Sequence, residues 1–204
     1  MAPIAEPEHA DTLGRALHLC IDMQRLFAPD GPWPTPWMPR VLPQIRAIAE
    51  RHAARTIFTR FIPPERPDDL PGRWQAYYRA WREVTGERLD PALLGLAPPL
   101  ADLVPPAGVI DKPVYSAFHR TRLPALLRAL GVETLVVTGG ETDVCVLATV
   151  LDAVDAGYRV LLVTDALCSS SDAGHDALMT LFDTRFTMQV RKITTGELLS
   201  AWSA

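Results

Sequence analysis

The sequence predicts an α/β fold in which a parallel sheet carries packed helices, and three observations support that class. Short apolar runs alternate with helix-period segments at the spacing of βαβ units, most clearly from "VETLVVTGG" to the C-terminus. The punctuation agrees, since that run ends in two glycines and the helical pattern after it stops at Gly157. A chain of 204 residues, 48% apolar and 22% charged, suits one globular domain with a substantial core.

In chain order, "ALHLCID" is the first strand. The loop "APDGPWPTPWMP" follows, held out of regular structure by its prolines, and its Trp33 and Trp37 are candidates for a pocket wall. "MPRVLPQIRAIAERHA" reads as a helix and "ARTIFTRF" as the second strand. In "GRWQAYYRAWREVTG", Trp74, Tyr77, Tyr78 and Trp81 recur at helical spacing, a stripe expected to pack against the sheet or a second subunit. "GVIDKPVYSAF" is the third strand with its exit loop, and "TRLPALLRALG" the next helix.

"VETLVVTGG" is then a buried fourth strand. "TDVCVLATVLDAVDAGY" is a helix whose apolar face is read as Val144, Leu147, Ala148, Leu151 and Val154. "YRVLLVTDA", "DAGHDALMTLFDTRF", "FTMQVRKI" and "TTGELLSAW" complete the chain as strand, helix, strand and helix. Without repeats or low-complexity tracts to divide it, the chain is expected to be one domain, residues 16–204, behind a flexible tail, residues 1–15.

Composition excludes several classes. A formal charge of -4 with scattered arginines offers nucleic acid no basic surface. Apolar runs are short and flanked by charge, and "MAPIAEPEHADTLGRA" lacks the pattern of a secretory signal, so a cytoplasmic protein without membrane contact is expected. Cys20, Cys145 and Cys168 are odd in number and far apart, which suggests free thiols rather than a disulfide framework or a zinc knuckle.

Ligands of doubly wound sheets collect outside the carboxyl ends of the strands. Three strand exits carry reactive groups: the first strand ends in Asp22, the third in Lys112, and the fourth turns through Gly139 and Gly140 to Cys145. A helix N-terminus and a nearby ammonium both favour a thiolate over a thiol of ordinary pKa near about 8.5. Asp22 can take the thiol proton and return it to a leaving amine, with Lys112 balancing the anions. The glycine turn can aim backbone N–H groups at a tetrahedral oxyanion. Such a set splits amides without histidine.

In this order, "LHLCIDMQ", "TRF", "DKPVYSAFHRTRL" and "TGGETDVCVLATVLDAVDAGYRVLLVTDALCS" closely resemble the isochorismatase-like cysteine hydrolases, a family of nicotinamidases, N-carbamoylsarcosine amidohydrolases, biuret hydrolases and streptothricin hydrolases. The resemblance implies a Rossmann-like three-layer α-β-α sandwich with a six-stranded parallel sheet, and a triad that falls on Asp22, Lys112 and Cys145. It also implies a cis peptide at Gly140–Glu141, an oxyanion hole made by the Glu141 and Cys145 amides, and assembly into a homodimer or homotetramer. Arg60, at the second strand's exit, and Phe118, after the third, join Trp33 and Trp37 as expected substrate contacts.

Two departures from the family narrow the expectation. Its nicotinamidases place a D-x-H metal motif where this chain has Phe61 and Ile62, so no metal or other cofactor is expected. Members that split a vinyl ether lack the cysteine that this chain keeps, which favours a C–N hydrolase of a small molecule, with isochorismatase chemistry or an idle binding protein as alternatives. A dinucleotide-binding module, prompted by the Gly-Gly turn and Asp165, fails because "GGETDV" cannot supply G-x-G-x-x-G. "CSSSD" is no nucleophile elbow, and the histidines show no metal-ligand spacing.

Overall fold

The structure is a computed structural model that describes residues 13–203. Six strands, β1 (Ala16–Ile21), β2 (Thr56–Phe61), β3 (Gly108–Lys112), β4 (Thr134–Gly140), β5 (Arg159–Cys168) and β6 (Val190–Ile193), form one sheet. Their order is β3-β2-β1-β4-β5-β6 and every pair is parallel. The helices are α1 (Met38–Arg51), α2 (Arg73–Ala80), the single turn α3 (Pro98–Ala101), α4 (Leu123–Ala129), α5 (Leu147–Asp155), α6 (Asp172–Arg185) and α7 (Thr195–Ala201). Helices α1 and α7 pack on each other and on β5, which α5 also covers. This is the expected three-layer α/β architecture, and no helix among the described residues is long and apolar enough to cross a membrane.

Most of the expected tail, residues 1–12, lies outside the described residues, and Leu13 is buried. Strand β6 is shorter than its sequence run, because residues 186–189 form the turn that enters it. The helical segment after β4 differs from expectation in two ways. It opens with a π turn, Thr142–Val146, before α5 begins. Its buried face is Val146, Thr149, Val150 and Ala153, whereas Val144, Leu147 and Val154 are half-buried and Leu151 is exposed. "VCVLATVLDAV" is apolar almost all round, so periodicity alone had no polar side by which to orient it.

Central strand β1 is buried along its whole length, so its one polar side chain must be satisfied internally. His18 is bracketed by Thr56 Oγ1 at 3.2 Å and Thr138 Oγ1 at 2.8 Å, on the two neighbouring strands. Cys20 is core, as expected. In β5, Val137 of β4 faces Leu162 but Gly139 faces Leu167, so the strand bulges between them. Asp165 in that bulge accepts hydrogen bonds from the Thr195 N–H and hydroxyl at 2.8 and 2.9 Å, tying β5 to the start of α7.

Burial, with His52 adding to it, pulls His18 down from its ordinary 6.5 to about 3. A lowered histidine keeps the folded state neutral while the unfolded chain takes up a proton, so stability is complete above pH 6.5 and is lost as pH falls towards 3. Urea unfolding across that window should show a falling midpoint, and His18→Gln, which keeps hydrogen-bonding ends without a titrating ring, should flatten the fall.

Candidate active site

The strand order reverses between β1 and β4, and such switch points open the crevice in which doubly wound sheets bind ligands. Asp22 follows β1 at this point, and Cys145 sits in the π turn that follows β4. Lys112 starts from edge strand β3, with β2 lying between it and Asp22. Its ammonium stands over the Phe61 ring, 4.8 Å from Nζ to the centroid, and Nζ reaches Asp22 Oδ2 at 2.6 Å. Both side chains are essentially inaccessible, at 0% and 1% exposure. Nζ also donates to the Val114 carbonyl at 3.1 Å.

The carboxylate is aimed by Thr59 on β2. Its hydroxyl donates to Asp22 Oδ1 at 2.6 Å while accepting the Asp22 N–H at 3.1 Å, which closes a small ring around the aspartate. Asp22 adopts φ of 50°, a left-handed conformation that Asp tolerates better than most residues. Beside it, Gln24 clamps the end of β2, accepting the Phe61 N–H at 2.6 Å and donating to the carbonyls of Phe61 and Leu94.

Opposite, β4 closes tightly on β1. Gly139 has φ of 105°, and a Cβ there would lie 2.1 Å from the Ile21 carbonyl oxygen, so only glycine lets the two strands meet beside Asp22. The Gly140–Glu141 peptide that follows is cis. The Glu141 carbonyl then accepts from the N–H groups of Val144 and Val146, at 3.2 and 3.0 Å, the two residues that flank Cys145. This widened turn leaves the Cys145 N–H out of the bond that a regular helix would give it.

Cys145 is buried close enough to Asp22 and Lys112 for both to act on its thiol. Burial pushes its thiol up, Lys112 opposes that, Asp22 adds to it, and the balance lies well above the ordinary value. Burial works against the Lys112 ammonium, but Asp22 and Cys145 outweigh it and hold the lysine above its usual range. The thiolate expected from a nearby cation is therefore favoured by Lys112 but opposed by burial and by Asp22.

A cavity of about 410 Å³ opens over the sulfur. Phe27, Trp33, Phe61, Tyr77, Trp81 and Tyr115 give it an aromatic wall, and Glu141, Val144 and Ser170 lie beside Cys145. Trp33 is the hub, with ring centroids 5.9 Å from Phe27 and Phe61, 6.0 Å from Trp81 and 6.3 Å from Tyr77. A second concavity, around His52 and Trp202, is lined by segments preceding β1 and β2 and so lies at the other end of the sheet.

Of the four expected substrate contacts, Trp33 lines the cavity and three do not. Arg60 alternates away from Thr59 and Phe61 along β2 and makes a two-pronged bond to Asp111 at 2.7 and 2.8 Å. Trp37 packs on His175 at 5.1 Å with Arg40 over its ring, and Phe118 packs on Tyr158 at 6.0 Å. Of the stripe on α2, read as packing, Tyr78 is buried and Trp74 packs on Tyr115 at 4.9 Å, while Tyr77 joins the wall with Trp81 at the helix end and with Tyr115 and Phe61 from strand exits. The position of Phe61 beside the β2 exit was a usable signal for it. Thr59 opens the "TRF" motif of the family resemblance, but the motif gave it no role, which rests on its place across from Asp22.

Comparisons with known proteins identify the family. The isochorismatase domain family matches residues 16–193. Isochorismatase family protein YaaI of Bacillus subtilis is 32% identical over 131 residues, 64% of this chain and 68% of that protein. Ureidoacrylate amidohydrolase of Methylorubrum extorquens is 43% identical over 70 residues, which cover 34% of this chain and 27% of the relative. Among solved structures, a cysteine hydrolase from Pseudomonas syringae pv. phaseolicola superposes with a TM-score of 0.81 over 99% of this chain and 98% of that one, at 24% identity. With a switch-point site of this form and a family match along nearly the whole sheet, the chain belongs to the isochorismatase domain family.

Proposed function

We propose that this protein is a hydrolase that cleaves the C–N bond of a small amide or ureido compound through a thioester on Cys145. The buried contact of Asp22, Lys112 and Cys145 at the switch point carries the reading. The amidohydrolase named among the relatives supports it.

The resting charges suit the chemistry. Asp22 takes the Cys145 proton as the sulfur attacks the carbonyl carbon, so the negative charge passes from carboxylate to substrate oxygen without a change in net charge. The N–H groups of Glu141 and Cys145 receive that oxyanion, and the π turn supports the role by keeping the second donor out of the helix ladder. Asp22 then protonates the departing nitrogen as the C–N bond breaks. It next deprotonates a water that attacks the thioester, and returns that proton to the sulfur as the acid leaves. Lys112 stays ammonium throughout and balances whichever partner is anionic.

Where nicotinamidases of the family carry D-x-H, Phe61 occupies the cavity wall and shields Lys112, and among the described residues no group of three His, Cys, Asp or Glu side chains is placed to hold a metal ion. Every step above uses only residues of the chain.

Two measurements test the reading. Screening amides and ureido compounds for ammonia release should identify a substrate, and Cys145→Ala should then lower turnover by about 10⁴-fold or more with an unchanged circular dichroism spectrum. Full activity in that variant overturns the mechanism. Thr59→Val removes the hydroxyl that aims Asp22 while preserving shape, and should reduce kcat by about tenfold or more with little change in KM. Alkylation of Cys145 by iodoacetamide should slow in the same variant, which a merely structural threonine would not bring about.

A further inference from the structure

The composition of the cavity points to a class of substrate. Its wall is six aromatic side chains, and its one carboxylate is Glu141, directly beside the nucleophile. No lysine, arginine or histidine is among the described residues that line it. Several basic groups close in sequence to its lining are committed elsewhere, Arg79 to Asp68 at 2.5 Å and Arg82 to Glu87 at 3.5 Å among them. Lys112 lies against Phe61, inaccessible and paired with Asp22, while Arg60 is locked to Asp111 away from the cavity. Glu141 is itself held in place, since its Oε1 accepts the Ser170 N–H at 3.1 Å.

These features are unsuited to an anionic amide. A substrate carboxylate would find no counter-charge on the wall, would lose its water against aromatic surface, and would be repelled by Glu141. A cation gains on both counts, because ring faces attract positive charge and the carboxylate supplies a counter-ion at the same site. The field is already visible in the wall: burial first, then Tyr115, Cys145 and Glu141, push Tyr77 up to about 12.

We propose that the site selects amides whose non-reacting group is an apolar organic cation of the alkylammonium type, held between the Trp33–Tyr77–Trp81 rings and Glu141, and rejects amides that carry a carboxylate. This specificity rests on the amide-splitting function proposed above. The rings at the mouth are suited to bulky alkyl groups on nitrogen. Trp81 remains 45% exposed, so its face is open to an arriving ligand.

The test uses three small amides of similar size. Trimethylammonioacetamide and 3,3-dimethylbutanamide share one shape and differ only in the positive nitrogen, and malonamate carries a carboxylate. For the wild-type protein kcat/KM should be at least about tenfold higher for the cation than for its neutral isostere, with malonamate the poorest. Calorimetric binding to the Cys145→Ala protein should show the same order without turnover. Glu141→Gln should bring the cation-to-neutral binding ratio close to one, and Trp81→Leu should weaken the cation more than the neutral amide.

Equal binding of cation and isostere, or preference for malonamate, overturns the proposal even if all three are hydrolysed. Cation-selective binding without ammonia release from any amide upholds the cation site and overturns the amidohydrolase reading instead. The two ideas therefore fail separately.

Discussion

The ion pair between Lys112 and Asp22 is the constraint on which the rest of this structure depends. Two opposite charges 2.6 Å apart are sealed from solvent in a sheet-end crevice, and each is tolerable there only because the other is present. Breaking a buried pair by removing one partner typically costs about 3–5 kcal/mol, which ties the site to the stability of the fold. The geometry demands a side chain long enough to start on β3 and pass β2 before meeting a residue at the end of β1. Lysine meets that demand, and the Phe61 ring lies against its ammonium.

Around that pair the local structure is arranged to limit freedom. Thr59 holds the carboxylate from the β2 side, Gln24 fixes the β2 end that carries Phe61, and Gly139 lets β4 approach β1 closely enough to bring the π turn over Asp22. The same burial that protects the ion pair pushes the Cys145 thiol up. The aromatic wall then adds an apolar surface with one carboxylate, Glu141, over that buried cluster.

Much of this was legible in the sequence. Asp22, Lys112 and Cys145 stand at three strand exits in chain order, and the parallel-sheet grammar sends strand exits to one rim. The strands were readable because continuous apolar runs bounded by glycine or charge leave few alternatives. Misreadings occurred where a choice depended on direction rather than type. Arg60 sits at the correct height on β2 but on the wrong side of the alternation, and Trp37 and Phe118 turn to neighbours on other elements. The face of α5 was misread because its apolar residues encircle the helix. The α2 stripe divides: Trp74 and Tyr78 pack as read, while Tyr77 and Trp81 face a cavity within the same chain.

The sequence alone therefore determined the fold class, the strand and helix order, and the three reactive residues at strand exits, because periodicity and chain order are properties of the covalent chain. Tertiary structure decided which charges neutralise one another, that the Cys145 sulfur is buried, and which rings from α2, β2 and the loops form a single wall. These depend on strand order and side-chain direction across segments distant in sequence, and the physical reason is that burial and Coulomb interaction act through space.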